Sequence, residues 1–254
     1  MRIVNKKKIG RYSKSSKRDY SIKIKKKTII KKLLKNNEIS NLATLFSTRV
    51  EINRILYYNN IYKNLLNKPG VIMEFGVEWG STLSLLIKLR SIYEPYNYSR
   101  KIIGFDTFSG FTNKLSTKEK ELGWKKSDYT VSKNYEKVLG ELLKLEEDNA
   151  PLSNIKKFEL IKGDASNTVK KYLKQNPQSI IGMAIFDMDV YKPTKKVLDL
   201  IKPRLFKGSV LVFDELNHPQ FPGETTALLK SMGLNKLKLR SFHGATFSSW
   251  TILE

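Results

Sequence analysis

The chain has 254 residues and no cysteine, with 47 Lys and Arg against 24 Asp and Glu for a formal net charge of +23. That length suits one large α/β domain rather than two, and the lack of cysteine excludes disulfides and thiolate metal sites, leaving oxygen ligands or His218 and His243. No run approaches the ~18 apolar residues of a membrane span, and no apolar stretch follows the basic N-terminus, so a soluble, cytoplasmic protein is expected.

The charge is unevenly spread. Residues 1–35 hold 15 Lys and Arg against one acid, Asp19, and the remainder holds 32 bases against 23 acids. A flexible basic arm is expected there. It is read first as a solvated leader, with peripheral binding to an anionic membrane surface or a polyanionic glycan as the alternative. RNA is less favoured, because base stacking needs interleaved aromatics and the arm has only Tyr12 and Tyr20.

From about Thr28 to Asn67 the apolar spacing is helical, and "NKPG" (67–70) stops it. A single domain is expected over residues 36–254, beginning with a helical extension at 36–68. "VIMEF" (71–75) then predicts a buried strand and "STLSLLIKLRSIY" (81–93) a helix. Further strands are expected at "KIIGF" (101–105), "FELIKG" (158–163), "IGMAIF" (181–186) and "SVLVF" (209–213), with helices near 133–147, 166–174 and 193–203. Apolar runs without alternation imply strands covered on both faces, and strand–helix alternation implies parallel right-handed crossovers. The expected fold is therefore a doubly wound, mostly parallel sheet, closed by an antiparallel hairpin within "KLKLRSFHGATFSSWTILE".

Ligands of such sheets bind beyond the carboxyl ends of the strands. The first strand ends in "EFGVEWGST", where Gly76 and Gly80 turn the chain into the helix at Ser81 and leave helix N–H groups free for a ligand. The second ends in "GFDTFSGF", whose Asp106 is placed to accept ribose hydroxyls, and the third in "KGDAS", whose Asp164 is placed to accept from an adenine amino group. A helix N-cap or turn is the alternative for each acid taken singly.

The fourth and fifth strands each end in two acids: Asp187 and Asp189 in "IFDMDVYKPT", and Asp214 and Glu215 in "SVLVFDELN". An extended chain places residues i and i+2 on one face, so Asp187 and Asp189 are expected to share a crevice. If the two strands are neighbours, four carboxylates converge. A hard divalent cation such as Mg²⁺ relieves their repulsion, since it takes oxygen ligands and keeps waters for a substrate to replace.

"VIMEFGVEWGSTL", "IIGFDTFSGF", "IKGDAS", "FDMDVYKPT" and "VLVFDELNHPQFPGETTAL", in that order, resemble the macrocin O-methyltransferase (TylF-like) family over roughly residues 50 to 254. Members are class I S-adenosylmethionine-dependent enzymes with a seven-stranded Rossmann-like sheet that methylate sugar hydroxyls. The resemblance implies that Glu74, Gly76, Gly80 and Ser81 shape the methionine side of the cofactor pocket, Asp106 holds the ribose, and Asp164 with Ala165 borders the adenine. It implies Asp187, Asp214 and Glu215 as Mg²⁺ ligands, with Asp187 also bordering the cofactor, and Asp189 as general base.

Two departures stand out: Glu215 takes the place of the family's usual second Asp, and the loop "NKLSTKEKELGWKK" (113–126) lacks the Pro-rich form of the family's lid. Tyr191 and Lys192 are candidates for the acceptor side, and His218 for an alternative base. A D-x-D glycosyltransferase and a polyanion-binding or RNA-methylating protein remain as alternatives, and a homo-oligomer stays open.

Overall fold

The computed structural model describes residues 21, 24–26, 28, 45, 47–112, 115–244 and 247–254. The chain divides into a first unit, residues 1–56, and a second, residues 57–254. Most of the expected basic arm lies outside the described residues; Ser21, Ile24, Lys25, Lys26 and Thr28 are helical. Within the helical stretch expected from about 28 to 67, Ser47 and Thr48 are not helical, and α1 (Arg49–Tyr62) begins just after them. The reason is a capping box: Thr48 Oγ1 accepts from the Glu51 N–H at 3.2 Å while Glu51 Oε2 accepts from the Thr48 N–H at 2.7 Å.

In the second unit the strands fall where the apolar runs predict: β1 (Val71–Phe75), β2 (Ile102–Asp106), β3 (Phe158–Lys162), β4 (Ile181–Phe186) and β5 (Val210–Phe213). Between them lie α2 (Ser81–Tyr93), the short α3 (Thr117–Glu121), α4 (Tyr135–Asp148), α5 (Ala165–Gln175) and α6 (Tyr191–Ile201), followed by α7 (Gly223–Ser231). Helix α6 starts two residues before its expected position, because Pro193 is tolerated in a first turn, where no intrahelical N–H bond is needed. The C-terminal pair is β6 (Arg240–Ser241) and β7 (Ser249–Ile252).

The seven strands form one sheet in the order β3-β2-β1-β4-β5-β7-β6. Strands β1 to β5 are parallel, and β7 is antiparallel to both β5 and β6. Helices cover both faces. Ile72, Ile102, Ile185 and Val212 pack with Leu83, Leu86, Leu139 and Leu143 on one side, and Met73, Ile103, Ala184 and Leu211 with Val169, Val197, Leu198 and Leu228 on the other. Double burial explains why these runs do not alternate.

Register is the feature that positions the site. Phe75 pairs with Phe105 on one side and Phe186 on the other, and Phe186 pairs with Phe213. The four rings form a row across the sheet with neighbouring centroids 5.3, 5.2 and 5.0 Å apart, and Tyr172 of α5 meets Phe105 at 5.8 Å. Each phenylalanine precedes a residue expected at the site, so Gly76, Asp106, Asp187 and Asp214 arrive at one level. Upstream, Arg100 fixes the turn into β1 by donating to the carbonyls of Gly70 at 2.5 Å and Lys68 at 2.7 Å while it pairs with Glu94 at 2.8 Å.

Phe186 lies at the centre of the ring row and is wholly buried. Phe186→Ala is expected to lower unfolding free energy by roughly 3–5 kcal/mol, measured by denaturant titration. A loss under ~1 kcal/mol would mean that the row does not hold the strand ends in register.

Candidate active site

The strand order reverses between β1 and β4, and the carboxyl ends diverge there to leave a crevice. On the β1 side, Gly76 has φ 92°, and a Cβ added to it would lie 1.8 Å from the Asp187 carbonyl oxygen. Glycine is thus required here for β4 to pass beside β1, a packing role that the sequence did not suggest. Gly80, at φ 76°, caps α2 without a side chain, and a Cβ on it would strike Leu139. Ser81 opens α2 and is exposed, while Glu74 is buried within β1 between Gly104 and Ile185.

Asp106 organises the glycine turn. Its Oδ2 accepts from the N–H groups of Val77 at 2.6 Å and Glu78 at 2.8 Å, and its Oδ1 accepts from Phe108 at 2.6 Å. Asp164 is the N-cap of α5, accepting from the Ser166 N–H at 2.9 Å and its hydroxyl at 2.6 Å, with Ala165 buried behind it. These residues line the β1–β2–β3 half of the strand ends, whereas the acidic residues gather on the β4–β5 half.

There the expected geometry needs one correction. Strand β4 stops at Phe186, and Asp189 adopts φ 61°, so Asp187 and Asp189 are not two residues of one extended chain sharing a face. They converge nonetheless. Asp189 keeps some accessible surface, yet burial pushes its carboxyl well up, reinforced by the negative charges of Asp187, Glu224, Glu215 and Asp214. Of the last pair, Asp214 Oδ1 accepts from the Ser248 hydroxyl at 2.9 Å, and Glu215 Oε2 stands 3.8 Å from His218 Nε2. His218 Nδ1 accepts from the Gln220 N–H at 3.1 Å, so neutral His218 carries its proton on Nε2, toward Glu215.

Glu224, at the start of α7, was not singled out in the sequence. It is fully buried, and its Oε1 and Oε2 accept from the N–H groups of Asp189 at 3.4 Å and Glu215 at 3.1 Å, tying the β4 loop to the β5 loop. Burial raises its pKa well above the usual range, helped by Asp187 and Asp214 and opposed by the Glu215 N–H. The signal was the "PGE" helix start, which reads as ordinary capping until the fold brings it beneath the cluster.

The loop over this recess is built around aromatics. Trp124 lies 4.5 Å from Phe221 and 5.4 Å from Phe111 between ring centroids, and its Nε1–H donates to the Gln220 carbonyl at 3.2 Å. Tyr129, at φ 62°, meets Phe111 at 5.3 Å and stacks on Trp124 at 6.1 Å. Burial raises the Tyr129 hydroxyl pKa, and Asp189, Asp187, Glu78 and Glu215 raise it further, so it stays a neutral donor facing both halves of the crevice. Tyr191 starts α6 with its ring against Lys230, 5.0 Å from ring centre to Nζ, and Lys192 is exposed.

The donor chemistry suits a hard cation, since every candidate ligand is a carboxylate and their mutual repulsion is large. The side chains do not stand as a closed chelate: among the described residues, no three His, Cys, Asp or Glu are grouped to hold a metal ion.

A seven-stranded sheet of this order, with an antiparallel β7 beside β5 and a glycine turn after β1, defines a class I methyltransferase. No family model and no curated protein matches the chain by sequence. Among solved structures, the calicheamicin methyltransferase CalS11 is 34% identical with a TM-score of 0.87, over 99% of both chains. Its apo form, described as a TDP-rhamnose 3'-O-methyltransferase, gives 34% and 0.80 over 96% of this chain and 98% of that one. The O-methyltransferase NovP shares the fold, with 16% identity and a TM-score of 0.62 over 81% of each chain. The chain belongs to the TylF-like, macrocin O-methyltransferase type of class I methyltransferases and is an S-adenosylmethionine-dependent O-methyltransferase. The glycosyltransferase alternative is thereby set aside, and the likeness extends well beyond the expected residues 50–254. No helix among the described residues is long and apolar enough to cross a membrane.

The acidic cluster predicts a pH dependence. In the unfolded chain, Asp and Glu titrate near about 3.9 and 4.3; in the folded protein, Asp189 and Glu224 titrate higher. The stability they contribute is complete below the unfolded values and is lost as pH rises through the folded ones. In chelator, the melting temperature is expected to fall as pH rises above the ordinary carboxylate range, and Asp189→Asn should flatten that fall. A melting temperature that climbs over the range would count against a repulsive, buried cluster.

Proposed function

We propose that the acceptor is a sugar hydroxyl, on a nucleotide sugar, a glycan or a glycosylated natural product, and that Asp189 is the general base. The observation that carries this reading is the meeting of Asp187, Asp189, Asp214 and Glu215 at adjacent strand ends, facing the glycine turn across the crevice. Full-length likeness to a TDP-rhamnose methyltransferase supports the sugar.

Glu74, Gly76, Gly80 and Ser81 would border the methionine part of the cofactor, Asp106 the ribose, and Asp164 and Ala165 the adenine. Asp106 already accepts three backbone N–H groups, so it would take a ribose hydroxyl on its remaining lone pair, on Oδ1. The acceptor would lie between Tyr129 and the acidic recess. Asp189 would take the acceptor hydroxyl proton, and S-adenosylmethionine when bound would supply the methyl group, an O–CH₃ bond replacing the C–S bond with S-adenosylhomocysteine as the leaving group. The raised pKa of Asp189 makes it a stronger base than an exposed aspartate once ionised. Asp187, Asp214 and Glu215 would hold a divalent cation, which when bound supplies Lewis acidity toward the acceptor hydroxyl and relieves carboxylate repulsion. Tyr129, a neutral donor, would orient an acceptor oxygen.

Calorimetry with S-adenosylhomocysteine should give micromolar or tighter binding, and Asp189→Asn should keep that binding while slowing methyl transfer to a sugar acceptor about 10²–10⁴-fold. Full activity in Asp189→Asn would remove the base assignment. Full activity in chelator would remove the cation. Tyr129→Phe is expected to raise the acceptor KM with the cofactor KM unchanged, measured by steady-state kinetics.

A further inference from the structure

The loop above the recess carries a carboxylate that its own helix does not explain. Helix α3 has five residues and a complete capping box, in which Ser116 Oγ accepts from the Glu119 N–H at 3.3 Å and Glu119 Oε2 accepts from the Ser116 N–H at 2.5 Å. A capping box normally lies at the surface, yet Glu119 is only 2% exposed. Its second oxygen, Oε1, leaves the helix and accepts from the Tyr191 N–H, 72 residues further on, at 2.6 Å.

Tyr191 is the first residue of α6, and the N-cap before it, Val190, has no side-chain oxygen to satisfy the helix end. The cap is supplied instead by the loop. The segment it reaches is the one that carries the proposed base. Asp189 has φ 61°, a conformation that a non-glycine residue adopts at a cost and keeps only when its surroundings hold it. From the scaffold side, its N–H reaches Glu224 at 3.4 Å, and its carbonyl lies against Gly223, where a Cβ would come within 2.2 Å. From the loop side, the Glu119 contact is shorter and charge-assisted, with a helix N-terminus as donor. The loop is itself pinned to the β5–α7 connection by Trp124 on Phe221 and Gln220.

We infer that Glu119 is a positioning residue for Asp189: by capping α6 from the loop, it makes the orientation of the base depend on the loop being seated over the recess. This rests on Asp189 being the base. An aspartate whose backbone is released from one side samples other φ values, and its carboxylate leaves the line to the acceptor hydroxyl. Cofactor binding, which belongs to the β1–β3 half, is untouched.

Full-length Glu119→Ala is tested in three ways. Hydrogen exchange at the Tyr191 amide should quicken about tenfold or more. Methyl-transfer kcat should fall about tenfold or more with cofactor KM and S-adenosylhomocysteine affinity unchanged. Glu119→Ala combined with Asp189→Ala should be no slower than Asp189→Ala alone, because the two act as a unit. Ser116→Ala is the control for helix α3: it breaks the capping box but not the bond to Tyr191, and should leave both exchange and kcat within about twofold of the parent. Unchanged exchange, additive losses, or an equal effect from Ser116→Ala would each overturn the inference. If Asp189→Ala itself transfers methyl at the parental rate, the base assignment falls instead, and that outcome is separate from the others.

Discussion

The stacked phenylalanine row is the constraint on which the rest of the second unit depends. Phe75, Phe105, Phe186 and Phe213 are wholly buried on neighbouring parallel strands and lock them in register by mutual contact. A slip of one residue would turn each ring to the opposite face and move the following residue with it. Because the rings are the last apolar residues of their strands, the chemistry begins at one level everywhere, with Gly76, Asp106, Asp187 and Asp214 standing side by side. The close passage of Gly76 over the Asp187 carbonyl follows from that alignment and draws the two halves of the crevice together.

What the alignment creates is an electrostatic problem. Five carboxylates, Asp187, Asp189, Asp214, Glu215 and Glu224, share a low-dielectric recess, and two of them respond with strongly raised pKa values. Hydrogen bonds meet part of that charge: the Ser248 hydroxyl on Asp214, and backbone N–H groups on Glu224. The buried basic side chains of the sheet lie at its other edge, by the N-terminal strand ends. Arg90 pairs with Glu147, which Lys157 also approaches, and Arg100 pairs with Glu94.

The loop between β2 and α4 joins the two halves. It carries the aromatics that cover the recess, the Tyr129 hydroxyl that faces it, and the Glu119 carboxylate that grips the segment beneath. In sequence the loop is a run of Lys, Glu, Ser and Gly with scattered aromatics, and only its departure from a Pro-rich form could be read. Its structure depends on partners about 70 and 100 residues away, Tyr191 and Gln220, so no local pattern announces it. Glu224 escaped notice for the same reason.

The sequence by itself determined the parallel strands, the order of elements and the acidic strand ends, because these rest on short-range periodicity and on the rule that doubly buried strands carry unbroken apolar runs. Family likeness was legible there too, through the motifs that follow each strand. Tertiary structure alone decided that Asp187 and Asp189 converge by a left-handed turn rather than by strand alternation, and that Gly76 serves strand packing. It also decided that Asp106 and Asp164 spend oxygens on backbone N–H groups, and that Glu119 and Glu224 hold the Asp189–Tyr191 segment from opposite sides. The physical reason is that hydrogen bonds and close backbone approaches between distant segments leave no periodic trace in the chain; they exist only once register has brought the strand ends level.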